Sequence, residues 1–179
     1  MNNRTTRHKK IMALVSVVLV ILLTVFDQFT KWLAVTRLRG NEAFVIIPKV
    51  FELRYLENRG VAFGMFQGQK WPILLTSALL MAVILYLIAR MPEGRRFDIF
   101  QIILVFIFAG GVGNMIDRFF LGYVVDFFYF VLIDFPIFNV ADCYVVCATI
   151  ALCLLMFFGM SEEDLDFISF KKKETKQEQ

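Results

Sequence analysis

Five short polar clusters interrupt an otherwise apolar chain, and each holds side chains able to bind a ligand or move a proton. Asp27 and Lys31 are spaced i, i+4. Asn58-Arg59-Gly60 precedes Val61-Ala62-Phe63-Gly64. Asn114, Asp117 and Arg118 follow Gly110, Gly111 and Gly113 at offsets that give them one helical face. Asp126 stands alone among Val124, Val125, Phe127 and Phe128, and Asn139 and Asp142 frame Val140 and Ala141. Taken singly, each cluster has a structural reading. The first is a helix-end ion pair, and the second a turn built on Asn and Gly. The third is a local network that neutralises Arg118, with glycines that let helices pack closely in lipid. Asp126 reads as a loop carboxylate, although its apolar neighbours make that uncomfortable. Asn139 with Asp142 reads as a capping box with an acid in the first turn, which the helix dipole favours.

Taken together, the clusters place several carboxylates and amides at one end of a set of apolar segments. Ionisable groups at membrane depth are costly, so they point to function. Two carboxylates that share a site hold one proton between them, because both cannot ionise cheaply. The ionised one can activate water while the protonated one polarises a carbonyl. Such a pair needs no serine, cysteine or metal. Spacing alone does not choose its members among Asp117, Asp126 and Asp142. The only histidine, His8, lies in the basic N-terminal stretch, and no His/Cys cluster has metal-ligand spacing. Neither zinc nor any other cofactor is expected. Cys143 has no outward-facing histidine to activate it as a nucleophile. Cys143, Cys147 and Cys153 share one apolar stretch without a CxxC, so no disulfide framework is expected. The GxG of Gly111 and Gly113 is too weak to indicate a phosphate loop.

The elements that must position these residues are membrane spans. The chain has 179 residues, 59% of them hydrophobic, and a mean hydropathy of +0.67. A soluble domain is closer to half apolar. Four apolar segments stand out: Ile11 to Phe26, continuing amphipathically through Asp27 to Ala34; Trp71 to Ala89; Ile99 to about Gly113; and Val140 to Gly159. Each approaches the roughly 20 residues that a spanning helix needs. The first is not read as a cleaved signal peptide, because no small-x-small site follows Phe26. Arg4, Arg7, Lys9 and Lys10 precede the first segment, Arg90, Arg95 and Arg96 follow the second, and Lys171, Lys172, Lys173 and Lys176 close the chain. The positive-inside bias makes these three regions cytoplasmic. The fold class expected is therefore an all-α integral membrane protein of four transmembrane helices, with both termini cytoplasmic. It has a basic tail over residues 1–10, a membrane domain over 11–160 and a charged tail over 161–179. The extracytoplasmic loop of about residues 35–70 is long enough to carry structure of its own. Phe44–Ile47 and Phe51–Leu56, split by Pro48, read as strands of a small sheet on the outer membrane surface. The basic ends adjoin apolar runs, which a bilayer explains and a nucleic acid does not. A small transporter or proton-conducting protein, or a non-catalytic assembly factor, could use the same carboxylates. No internal repeat or broken helix of the transporter kind is visible.

In this order, Asp27-Gln-Phe-Thr-Lys31, Asn58-Arg-Gly-Val-Ala-Phe63, Gly111-Val-Gly-Asn-Met-Ile-Asp-Arg118, Val124-Val-Asp-Phe127 and Phe138-Asn-Val-Ala-Asp142 resemble the motifs of the lipoprotein signal peptidases (signal peptidase II). The resemblance covers roughly residues 11 to 160. It implies a monomeric aspartyl endopeptidase of the bacterial inner membrane, working without a cofactor near the outer leaflet. Its implied partners are membrane lipids and prolipoproteins already carrying a diacylglyceryl group, which it would cut before the modified cysteine by direct attack of water. The resemblance puts the catalytic pair on Asp126 and Asp142. It puts substrate contacts on Asn58, Asn114, Arg118 and Asn139, and support on Asp27, Lys31 and Gly60. Asp117 reads as structural. Val61, Gly64 and Cys143 depart mildly from the family pattern.

Overall fold

The computed structural model describes residues 3–60, 68–161 and 163–168, apart from the side chains of 3–6 and 166. Val61 to Gly64 and residues 169–179, with their four lysines, lie outside the described residues. Helix α1 runs Asn3–Leu38 and is followed by strands β1 (Phe44–Ile47) and β2 (Phe51–Asn58). Helices α2 (Lys70–Arg90) and α3 (Arg95–Phe120) come next, then β3 (Val124–Phe130) and α4 (Val140–Leu154), which ends in a π turn over Leu155–Gly159. Four stretches are long and apolar enough to cross a membrane: Arg7–Leu38, Lys70–Arg90, Arg95–Phe120 and Val140–Gly159.

The local chemistry explains the boundaries. Pro72 is tolerated in the first turn of α2, where its missing N–H has no partner to lose. Met91, before Pro92, is pushed to extended backbone and ends that helix. Gly94 and Gly122 take positive φ on either side of α3, which a side chain would resist. α3 is the central helix, packing against α1, α2 and α4. At Gly110 an added Cβ would sit 2.5 Å from the Ala141 carbonyl oxygen, so only glycine lets α3 and α4 approach this closely.

Several boundaries move from the sequence reading. The basic N-terminal residues are not a separate tail, since α1 is helical from Asn3. Arg, Lys and Met are good helix formers, and nothing between Asn3 and the apolar run breaks the helix. α3 starts at Arg95 and continues past Gly113 to Phe120, which puts Arg118 in its last turn. After α4, Glu163–Ile168 forms a 3-10 helix that folds back on the bundle. Phe167 meets Phe97 and Phe100 edge-on, and Asp164 pairs with Arg96 at 3.1 Å. This part of the C-terminal stretch is packed, not free.

The sheet has three antiparallel strands in the order β1-β2-β3, the third coming from between α3 and α4. The first two strands match the sequence reading, with β2 running on to Asn58. The third was not anticipated, because Val124–Phe130 lacks alternation: its first four residues are all buried. A bulge interrupts the β2–β3 register. Leu53 pairs with Phe128 and Leu56 with Asp126, so β2 carries one extra residue there. Since side chains alternate along a strand, the extra residue reverses which set faces which way. Asn58, and not Glu57, therefore shares a face with Asp126. Glu57 turns to the other side, where Arg39, Arg59 and the Tyr55 hydroxyl bind it.

Candidate active site

The polar ends of α1, α3 and α4 meet strands β2 and β3 at one end of the bundle, and every candidate residue named from the sequence lies there. Asp126 is 1% exposed. Its Oδ2 accepts from the Asn58 side-chain amide at 2.8 Å, and its Oδ1 from that of Asn139 at 2.6 Å. Asn58 Oδ1 in turn accepts from the Gly60 N–H at 3.0 Å, so the asparagine serves both as a turn residue and as a hold on the carboxyl.

Asp142 lies in the first turn of α4 and is half-buried. The capping box is present: Asn139 Oδ1 accepts from the Asp142 N–H at 3.0 Å, and Asp142 Oδ2 accepts from the Asn139 N–H at 3.1 Å. Capping and chemistry do not compete here. Oδ1 of Asp142 remains to accept from the Asn114 amide at 2.8 Å. Asn139 thus caps the helix that carries one carboxylate and donates to the other. Burial first, and the charge of Asp142 second, push the Asp126 carboxyl from 3.8 to about 7, against the hydrogen bonds from Asn58 and Asn139 that pull it down.

Asn114 has a fixed orientation. Its Oδ1 accepts from Lys31 Nζ at 2.9 Å and from Asn139 at 3.1 Å. Lysine can only donate, so the amide nitrogen must face Asp142. Below this layer lies an ion-pair core. Lys31 Nζ is 2.9 Å from Asp27 and 3.1 Å from Asp117, and all three residues are at most 3% exposed. Asp27 Oδ1 accepts from the Ala141 N–H at 2.9 Å, and Asp117 Oδ2 from the Val125 N–H at 3.0 Å. These two acids therefore fix the backbone beside Asp142 and Asp126 respectively. At Gly113 an added Cβ would come 2.5 Å from Asp27 Oδ2, so glycine is what admits this carboxylate between α1 and α3.

Arg118 does not pair with Asp117, as a local network would require. Its Nη2 donates to the Gly60 carbonyl at 2.9 Å, tying the end of β2 to α3. Cys143, next to the site, is a free thiol. Sequence reasoning missed Gln28. Its Nε2 donates to Asp117 at 2.9 Å and to Asp27 and the Gly113 carbonyl, both at 3.2 Å. The available signal was a lone amide in a membrane-length helix, which is costly unless bonded.

Membrane-length helices that bring a half-buried carboxyl on α4 beside a buried one on β3, both braced by amides, suit a membrane hydrolase of the aspartic kind. Residues 19–158 match the family model described as "Signal peptidase (SPase) II", and the chain belongs to that family. It is 44% identical over 144 residues to a lipoprotein signal peptidase of Symbiobacterium thermophilum, covering 79% of this chain and 91% of the relative. It is 37% identical to one of Streptococcus pyogenes, covering 80% and 91%. Among solved structures it resembles a bacterial membrane enzyme with a TM-score of 0.70 at 27% identity, covering 82% of this chain and 94% of the other. The chain is thus a multi-pass bacterial membrane protein with four candidate spans.

Proposed function

We infer that Asp126 and Asp142 are the catalytic pair of this aspartic endopeptidase, which removes the signal peptide from diacylglyceryl-modified prolipoproteins by cutting just before the lipid-modified cysteine. The enzyme class and prolipoproteins as substrates follow from the family. The lipid requirement and the cut position are carried over from the family resemblance. One observation supports the pair above all: among the described residues, Asp126 and Asp142 are held only by N–H donors of Asn58, Asn114 and Asn139, and neither carboxyl forms a salt bridge.

The Asp126 carboxyl, raised to about 7 by burial and by the charge of Asp142, is the member of the pair assigned the shared proton. Asp142, half-buried and at the positive end of α4, is the carboxylate that activates water. Water attacks the scissile carbonyl and gives a proton to Asp142, while Asp126 donates to the carbonyl oxygen. No covalent acyl-enzyme forms. Asn114 and Asn139 keep the two carboxyls aimed at one point, and Arg118 holds the Asn58–Gly60 turn over them. Substrate enters sideways from the bilayer beneath the sheet. The domain layout is one membrane peptidase unit over about residues 11–160, with both termini cytoplasmic and the site near the outer leaflet.

The deciding experiment incubates purified protein with lipidated and unlipidated prolipoprotein and measures cleavage. Cleavage of the lipidated form alone is expected; cleavage of neither would sink the reading. For orientation, reporter fusions at Arg95 should read cytoplasmic and fusions near Glu42 and Asp134 external. An external signal at Arg95 would overturn the topology.

A further inference from the structure

An apolar groove of about 740 Å³ lies beside the dyad strand, and none of the residues that hold the dyad lines it. One wall is a stripe of α1 that includes Thr30, Ala34 and Leu38, spaced i, i+4, i+8. The other includes a single cross-strand row, Phe44, Leu53 and Phe128, in direct register across the three strands. Phe127 and Phe128 of the lining directly follow Asp126 in β3, so the groove and the carboxyl are carried by the same strand. Its size and apolar character suit a ligand site.

Two features narrow the occupant. The neighbouring surface of α1 is lipid-facing in character: Phe26, Phe29 and Trp32 are each more than half exposed. A guest can therefore pass from bilayer to groove without crossing water. A hydrocarbon chain lying there would bring no N–H or C=O groups that need partners, which suits the apolar lining. The groove's only exposed charges, Arg37 and Glu42, have side chains without a partner among the described residues. Arg37 offers N–H donors to an ester carbonyl at the end of such a chain.

We propose that this groove seats one acyl chain of the diacylglyceryl group on the substrate's cysteine, so that the chain itself sets the scissile bond against Asp126 and Asp142. The inference rests on the lipid-modified substrate of the preceding subsection. It makes the groove the part of the enzyme that reads chain length.

The test fills the groove from half-buried positions that take no part in the dyad, with Ala43→Trp and, separately, Leu33→Trp. Cleavage is measured on two prolipoproteins, one with long diacylglyceryl chains and one with butanoyl chains. KM for the long-chain substrate should rise roughly tenfold with kcat nearly unchanged, and the short-chain substrate should be spared. Equal penalties on both substrates, or none on either, overturn the proposal. A peptide with a diazirine at the end of its acyl chain supplies a readout independent of turnover. Labelling of Leu53 or Phe128 in the wild type, lost in Ala43→Trp, supports the groove even if no cleavage is seen. Labelling confined to the outer face of α1 refutes it even if cleavage is normal.

Discussion

Two sets of buried carboxylates lie next to each other in this protein and are held in opposite ways. Asp27 and Asp117 share Lys31, with N–O distances of 2.9 and 3.1 Å, and each also accepts a backbone N–H from a neighbouring element. Among the described residues, Asp126 and Asp142 receive amide and backbone N–H donors alone. A cation between two acids ties together whatever carries them. Amides fix only position and leave the pair to settle its own proton count. Burial and mutual repulsion then keep one proton on the pair. The first set is a joint between α1, α3, β3 and α4. The second is the set proposed to pass a proton to and from a substrate. Burial alone does not separate them, since Asp27 and Asp126 are both almost wholly inaccessible.

The largest expected effect falls on turnover at the second set. Asp126→Asn and Asp142→Asn should each cut cleavage by at least ~10²–10⁴-fold, the usual worth of general acid–base catalysis. Folding should survive, because Asn is nearly isosteric and at position 142 its side-chain oxygen can still accept the Asn139 N–H of the capping box. If Asp142 served only the capping box, Asp142→Asn would remain active. Asp117→Asn is the contrasting variant and should show at most partial loss. An active Asp142→Asn beside a dead Asp117→Asn would reverse the assignment of the two sets.

At the first set the effect moves from turnover to stability. Lys31→Met leaves Asp27 and Asp117 buried without their cation. Breaking a buried ion pair from one side costs about 3–5 kcal/mol. The melting temperature in detergent should fall clearly, and by much more than in either dyad variant. An unchanged melting temperature would mean that Lys31 does not hold the joint together.

This division between joint and dyad was only partly legible in the sequence. The four spans were legible, because length and apolarity suffice to mark them. So were Asp27 and Lys31, whose i, i+4 spacing is a local property of one helix. The residues of the dyad could be named only through the family resemblance, since Asp117, Asp126 and Asp142 all stand in similar apolar surroundings. What tells Asp117 from Asp126 is Lys31 on Asp117, 117 − 31 = 86 positions away in the chain, and such a long-range pairing leaves no trace in spacing. β3 was missed for a related reason. It is buried on both faces over Val124–Phe127, so it shows no alternation. The bulge that brings Asn58 to Asp126 depends on pairing between segments far apart in the chain.

Asn58 gives a finer test of the amide-held set. Asn58→Ala removes one of the two donors on Asp126 and should lower kcat/KM roughly tenfold, as expected for a hydrogen bond to a charged group. It should also move the high-pH limb of the cleavage profile upward. That limb marks loss of the shared proton, and the lost bond was one of the influences pulling Asp126 down. Wild-type turnover with an unmoved limb would reduce Asn58 to its turn with Gly60.

The smallest expected effect is on stability as a function of pH. The Asp126 carboxyl stands near 7 in the folded protein, against 3.8 for an unperturbed aspartate. Between those values the folded chain holds a proton that the unfolded chain has released. Stability therefore falls as pH rises wherever the folded state binds more protons. Asp126 should contribute a loss that begins near pH 4, grows to about 7 and then levels off. Asp126→Asn removes the titrating group and keeps the shape. Melting temperatures of wild type and variant, compared across this range in one detergent, should diverge, with the wild type losing ground as pH rises. Parallel curves would mean that Asp126 titrates alike in both states, and the proton-sharing that sets the dyad apart from the Lys31 joint would then be absent.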